Sequence, residues 1–203
     1  MPYDLKGRNV LVTGGSAGLG EVISITFAKQ GANIAVNYFN RLEPAQNVAS
    51  ECEKHGVKAV VVKACWAANV KAPLALLKAA KPTFEQNTDG GVFISTGSIA
   101  AVSQAGSSMP YAVTKAAQLQ LIKCLGATQG PKIRVNTVLP GLLLTEWGKK
   151  YSDEKIQWAK DAAALKHETD LQDCADAFIM LAKNTSITGA RIQVDAGLNV
   201  QGT

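Results

Sequence analysis

A short apolar run, Asn9–Val12, stops at Thr13-Gly14-Gly15-Ser16-Ala17-Gly18-Leu19-Gly20, and a segment of helical periodicity follows at once. No other feature constrains the chain as strongly. Glycines let a strand turn sharply into a helix and let backbone N–H groups approach a pyrophosphate, while the helix N-terminus adds unpaired donors and its dipole. From Gly20 to Gln30 the apolar residues Val22, Ile23, Ile25, Phe27 and Ala28 sit mostly at helical spacings, and Gly31 marks a stop. A glycine turn placed between a strand and a helix predicts the opening unit of a dinucleotide-binding fold.

The alternation continues to the C-terminus. Asn33–Tyr38 predicts a second strand, Glu43–Lys54 a helix opened by Pro44 and closed by Gly56, and Val57–Ala64 a third strand. Pro73–Ala80 predicts a helix halted before Pro82, Gly91–Ser95 a strand, Met109–Ala127 a long helix and Ile133–Leu139 a strand. Ser152–Ala164 and Leu171–Lys183 predict helices, and Ala190–Val194 a last strand closing the sheet. Short buried strands alternating with amphipathic helices imply an α/β chain: a Rossmann-like, doubly wound parallel sheet covered on both faces. With no repeat, low-complexity tract or linker, residues 1–203 are expected to form one domain.

Composition narrows the partners. The net charge is +5, but Lys and Arg are scattered among acids and build no basic block, so no nucleic-acid partner is expected. Cys52, Cys65, Cys124 and Cys174 lie far apart, which argues for reduced, mostly packed thiols and against a zinc site or disulfide framework; no metal is expected. His55 and His167 stand in polar helical contexts with no partner at ligand spacing. The start Met-Pro-Tyr-Asp-Leu-Lys is too polar for a secretion signal, and no apolar run approaches the roughly 20 residues that span a bilayer, so the expected location is the cytosol.

Two further groups of residues carry chemistry. The second strand ends Asn37-Tyr38-Phe39-Asn40-Arg41, with no acid to hold the ribose 2′-hydroxyl of NAD and with Arg41 available for a 2′-phosphate; NADP is therefore expected over NAD. In Tyr111-Ala112-Val113-Thr114-Lys115 a phenol and an ammonium lie four residues apart on one helix face, and a cation beside a phenol favours its ionised form. Taken alone that pair is common. Ser98, in the turn Thr96-Gly97-Ser98 after the strand Gly91–Ser95, adds a hydroxyl at the sheet rim where open α/β folds bind ligands. Pro140-Gly141, with Thr145 close behind, falls on the same expected rim.

In combination these motifs resemble the short-chain dehydrogenase/reductase family over nearly the whole chain. TGGSAGLG is similar to the family's TGxxxGxG, YAVTK to its YxxxK with Ser98 at the family's spacing, PGLLLT to its nicotinamide loop and VDAG to its C-terminal VDGG. The resemblance implies hydride transfer between NADPH and a ketone or secondary alcohol. Tyr111 would be the general acid/base, Lys115 would assist it and hold the nicotinamide ribose, Ser98 would orient the carbonyl, and Asn69 would support a proton relay. Gly14, Ser16, Gly18, Leu19 and Gly20 would line the pyrophosphate, and Pro140, Gly141, Leu143 and Thr145 the nicotinamide side. A substrate lid is implied between Trp147 and Trp158. A homodimer or homotetramer is implied through Ala75, Leu76, Leu77, Ala79, Leu119, Leu121 and Ile122, residues that would equally serve a core.

One stretch departs from the family. The third strand ends Lys63-Ala64-Cys65, with cysteine where an acid would touch adenine, and passes directly into Trp66-Ala67-Ala68-Asn69-Val70. The fourth strand and its NNAG-like motif are missing, a block of several tens of residues. In one continuous sheet with the third strand at its usual edge, the junction would cross about four strand spacings, roughly 19 Å, whereas Cys65–Ala68 reach about 14 Å. The expectation is therefore that Lys58–Ala64 occupies the vacant place beside the first strand, giving the order 2-1-3. The alternative function is a non-catalytic dinucleotide-binding or scaffold remnant.

Overall fold

The computed structural model describes residues 4–38, 42–63, 69–103, 109–146, 148 and 151–200. In chain order the elements are β1 (Asn9–Val12), α1 (Gly18–Lys29), β2 (Asn33–Tyr38), α2 (Leu42–Glu53), β3 (Ala59–Lys63), α3 (Lys71–Gln86), β4 (Gly91–Thr96), a 3-10 turn (Ile99–Ala101), α4 (Met109–Thr128), β5 (Ile133–Pro140), α5 (Asp153–Ala162), α6 (Leu171–Lys183) and β6 (Arg191–Val194). The alternation predicted from periodicity is the alternation observed, in a Rossmann-like α/β fold. The six strands form two three-stranded parallel sheets, ordered β1-β2-β3 and β4-β5-β6. The chain divides into two compact units: Met1–Trp66 with Leu143–Tyr151 and Asp170–Thr185, and Ala67–Leu142 with Ser152–Thr169 and Ser186–Thr203.

The first unit corrects the expected strand order. β3 pairs with β2 in the register Ile34↔Ala59 to Tyr38↔Lys63, so it lies outside β2 rather than beside β1. The amide of Asn33 shows how this order is held. Its Nδ2 donates to Asn9 Oδ1 (3.1 Å) and its Oδ1 accepts from the Lys58 backbone N–H (3.0 Å), binding the starts of all three strands with β2 in the middle. Because the strands belong to two sheets, the span worked out for one continuous sheet does not apply; residues 64–68 lie outside the described residues.

Alternate residues of that sheet face α1 and α2. Val12, Ile34 and Val36 on one side are buried, as are Ile23, Phe27, Ala45 and Val48 of the two helices that pack on the sheet, and α6, with buried Phe178 and Leu181, packs against α1. Leu11, Ala35 and Val60 share a row on the other side, where Leu11 and Val60 are exposed.

In the second unit, Leu77 of α3, Ile122 and Leu125 of α4, and Ile133 and Val135 of β5 form one core cluster, with Leu74, Phe84, Phe93 and Leu121 packed against it. Leu77 and Ile122, two of the residues offered for an oligomer face, are therefore core; Ala75 and Ala79 are exposed. The helix expected to halt before Pro82 instead runs through it to Gln86. Phe84 supplies the reason. Its ring lies so close to the Gly91 Cα that a Cβ there would meet it at 2.2 Å, and this packing offsets the backbone hydrogen bond that proline cannot make. Among the described residues no helix is long and apolar enough to cross a membrane, and no group of three His, Cys, Asp or Glu side chains is placed to hold a metal.

Candidate active site

The first unit builds the glycine turn. Gly14 and Gly18 both have positive φ, +65° and +56°, and a Cβ on Gly20 would lie 2.1 Å from the Gly14 carbonyl oxygen, so the turn closes only around glycines. The Gly15 N–H donates to the carbonyls of Val12 (3.2 Å) and Asn37 (2.9 Å), pinning the turn to the ends of β1 and β2. Asn37 is buried there.

Two other helices are capped by side chains: Ser152 accepts from the Lys155 N–H at α5, and Asp170 from the Gln172 and Asp173 N–H groups at α6. At α1 the cap is Ala17, which has no side-chain acceptor, so no side-chain cap occupies the first-turn N–H groups. α3, capped by Val70, also lacks a side-chain cap, but it has no glycine turn before it. A glycine cradle leading to an uncapped helix N-terminus fits a pyrophosphate. Thr145, 127 residues from Gly18, belongs to the same unit, with its methyl 3.0 Å from where a Gly18 Cβ would stand. Two residues assigned to the cofactor from distant motifs thus meet. Arg41 lies outside the described residues.

The second unit builds the other group. Helix α4 turns one stripe inward: Tyr111 half-buried, then Lys115, Gln118, Ile122 and Leu125 buried. Lys115 is 8% exposed, and its Nζ donates to the Thr96 carbonyl oxygen (2.9 Å) at the end of β4 and to Gln118 Oε1 (3.1 Å). The same Nζ stands 5.9 Å from the centre of the Tyr111 ring, within cation–π range. Burial pushes the Lys115 ammonium down from its ordinary value to about 8.

Asn69 Nδ2 donates to Thr114 Oγ1 (3.0 Å), and that hydroxyl donates to the Tyr111 carbonyl oxygen (2.8 Å), so Asn69 is tied to the same turn of α4. Ser98 follows β4 as the cap of the 3-10 turn, its Oγ accepting from the Ala100 N–H (3.2 Å), and that turn packs against α4. Beside it, β5 ends at Pro140, paired with Val194, and the Gly141 N–H donates to the Val194 carbonyl (3.0 Å). A Cβ on Gly141 would lie 2.5 Å from Thr169 Oγ1 and 2.8 Å from the Asp195 Cα, so only glycine fits. Asn69, Ser98, Tyr111, Lys115, Pro140 and Gly141 therefore fall in one unit, with Ser98 and Pro140-Gly141 at the carboxyl ends of its parallel strands. Leu143 and Thr145 belong to the other unit.

Sequence reasoning missed Gln118 and the Thr96 carbonyl. The signal for Gln118 was present: it is a polar residue at the next inward position of the stripe that Tyr111 and Lys115 begin. Trp66 and Trp147 lie outside the described residues, Trp158 is exposed on α5, and His55 and His167 are exposed.

Comparison with known proteins decides the family. A model described as short chain dehydrogenase matches residues 8–65, and one described as enoyl-(acyl carrier protein) reductase matches residues 61–199. The chain belongs to the short-chain dehydrogenase/reductase family. It is an oxidoreductase of that type with an NAD(P)-binding fold. The L-rhamnose 1-dehydrogenase (NAD(P)(+)) of Sphingomonas sp. (strain SKA58) is 26% identical over 248 aligned positions, which cover 97% of this chain and 98% of that protein. A dehydrogenase/reductase crystal structure from Sinorhizobium meliloti 1021 is 28% identical, with a TM-score of 0.86 over 97% of this chain and 96% of its own. FolM alternative dihydrofolate reductase 1 from Brucella canis, solved in complex with NADP, shares the fold at 20% identity, with a TM-score of 0.88 over 98% of this chain and 97% of its own.

The rhamnose dehydrogenase alignment is longer than this chain. Since 97% of 203 residues is about 197, about 51 of the 248 positions carry no residue of this chain. The two family models overlap at residues 61–65, at the end of β3, which is where the sequence motifs break.

Proposed function

We propose that the protein transfers hydride between NADPH and a small-molecule ketone or secondary alcohol, with Tyr111 as the general acid/base. The observation that carries this reading is the buried Lys115 ammonium, held by the Thr96 carbonyl and standing 5.9 Å from the Tyr111 ring. When bound, the nicotinamide supplies or accepts the hydride. Tyr111 gives its hydroxyl proton to the carbonyl oxygen in the reducing direction and takes it back in the oxidising one. Lys115 keeps a positive charge beside the phenol, and its third N–H is assigned to the nicotinamide ribose, two being engaged by Thr96 and Gln118. Ser98 orients the carbonyl and donates to the oxygen as charge builds there. Asn69 is the residue through which Tyr111's proton is replaced, consistent with its tie to Thr114.

On the cofactor, the uncapped α1 turn is assigned to the pyrophosphate and Arg41 to the 2′-phosphate. Preference for NADP is supported by the absence of an acid at the end of β2 and by the NADP bound to the FolM neighbour.

The test is NADPH oxidation across a panel of ketones, with NADPH and NADH binding followed by fluorescence. NADPH should bind more tightly than NADH, and Tyr111→Phe should abolish turnover while leaving NADPH affinity within about threefold. An active Phe variant refutes the role of Tyr111. NADPH binding without turnover by the wild-type chain establishes the non-catalytic alternative instead.

A further inference from the structure

The buried stripe of α4 holds two polar residues where an apolar pair would complete the core. Tyr111, Lys115, Gln118, Ile122 and Leu125 repeat at four- and three-residue steps, so all five point to one side. Ile122 and Leu125 enter the core cluster; Lys115 and Gln118 are as deeply buried, at 8% and 5% exposed. Burying an amide or an ammonium is costly unless each finds a partner. These two find one another, through Lys115 Nζ and Gln118 Oε1 at 3.1 Å.

We propose that Gln118 is a positioning residue for Lys115, sharing its ammonium with the Thr96 carbonyl and thereby fixing where the cation stands beside Tyr111. The proposal rests on the redox reading for its purpose, but its geometry is independent of it. Gln118 approaches from the C-terminal side of Lys115 along α4, Tyr111 lies on the N-terminal side, and Thr96 comes from the end of β4. Two acceptors from two elements confine a four-carbon side chain that would otherwise sample many rotamers. A carbonyl oxygen accepts from both the charged and the neutral amine, but it holds the charged form more strongly, so Gln118 also helps the buried cation keep its proton.

No charged neighbour competes with this effect among the described residues. Burial pushes the Lys115 ammonium down, and no charged group adds to or opposes that effect. Of the elements packed on α4, the Ile99–Ala101 turn has no titratable residue, β5 has only Arg134, whose guanidinium donates to the Ile187 carbonyl, and α3 has Lys71 and Lys78 on exposed positions and Lys81 paired with Glu85. On α4 itself, Tyr111 is the titratable group beside Lys115, while Lys123 and Cys124 lie on exposed positions.

The test follows the Lys115 side chain itself, by its 13Cε and 15Nζ resonances in cofactor-free protein, assigned by their loss in Lys115→Arg. Gln118→Met keeps the volume and removes the acceptor, and should lower the Lys115 titration midpoint by about one pH unit or more. Gln118→Glu places an anion at the same distance and should raise it by a similar amount. The alkaline limb of kcat/KM for NADPH oxidation should move in the same directions. Midpoints unchanged in both variants overturn the proposal, because a space-filling role would leave them still. If neither variant folds, the wild type decides: absence of nuclear Overhauser contacts between the Lys115 ε-protons and the Gln118 side chain overturns it. A Lys115 midpoint that follows Gln118 in a protein that never oxidises NADPH sinks the redox reading and leaves this one standing. Turnover that depends on Tyr111, with a Lys115 midpoint indifferent to Gln118, does the reverse.

Discussion

Replacing Lys115 and Gln118 together by Met and Leu should make the protein more stable at neutral pH while abolishing turnover. Three terms set the balance. Lowering a lysine from 10.5 to about 8 by burial corresponds to about 3 kcal/mol of penalty on the charged form in the folded state, which the double variant no longer carries. Against this, the Thr96 carbonyl loses its donor from Lys115, a loss of about 1 kcal/mol. Gln118 leaves with its partner, so no amide is stranded, and its leucine joins a stripe that already holds Ile122 and Leu125. The net expectation is a gain of about 2 kcal/mol in urea unfolding at pH 7, in keeping with buried ionic groups that give way to apolar ones. The dependence on pH supplies a second arm. Below about pH 8 the ammonium is protonated in both folded and unfolded chains, so the penalty is constant. Between about 8 and 10.5 the folded wild type has released a proton that the unfolded chain still holds, and wild-type stability gains about 3 kcal/mol on the variant's, closing the gap and then reversing it by about 1 kcal/mol, the Thr96 contribution. The comparison must be a difference. Burial raises Cys52 to about 11 and Cys174 to about 12, so the unfolded chain loses those protons first, and both proteins lose stability alike above pH 9. A double variant less stable than wild type at pH 7 by more than about 1 kcal/mol, or a gap that persists at pH 10.5, refutes this account of Lys115.

Two further perturbations probe the other parts of the molecule. Gly20→Ala brings a Cβ within 2.1 Å of the Gly14 carbonyl oxygen, which is backbone and cannot swing aside; NADPH affinity measured by fluorescence titration should fall at least about tenfold, and retained affinity would remove the turn from the cofactor site. Phe84→Ala should cost about 2–3 kcal/mol in urea unfolding, less than a fully buried ring, since the half-buried ring fills the space over Gly91 beside the second core; a loss below about 1 kcal/mol would show that Phe84 does not carry α3 past Pro82.

Much of the molecule was legible because its signals are local. The limits of β2 and α6 coincide with those read from periodicity, and Ser152, read as the start of a helix, is the N-cap of α5. The glycine turn was legible for the same reason, since positive φ at Gly14 and Gly18 and the close approach at Gly20 each leave a glycine in the sequence. Gln118 escaped notice because its importance is not local. A glutamine at the third position after a lysine is unremarkable until the core packing shows that both face inward. The Thr96 carbonyl is invisible in principle, since every residue has one and only the end of β4 selects it.

The error at β3 has a different origin. Cys65–Ala68 are too short to cross one continuous sheet from its edge, but the described strands form two sheets. With two sheets, the ordinary connection through α2 is free to place β3 next to β2, and Asn33 holds it there from both sides. The valine run of the third strand fits this outcome less well than it fits a central strand. Such runs usually mark burial on both faces, yet Val60 is 57% exposed, in one row with Leu11 and Ala35. The break in the family pattern falls at the end of this same strand, where the two family models overlap. β3 therefore carries a composition suited to cover on two sides while its Val60 row is open to solvent.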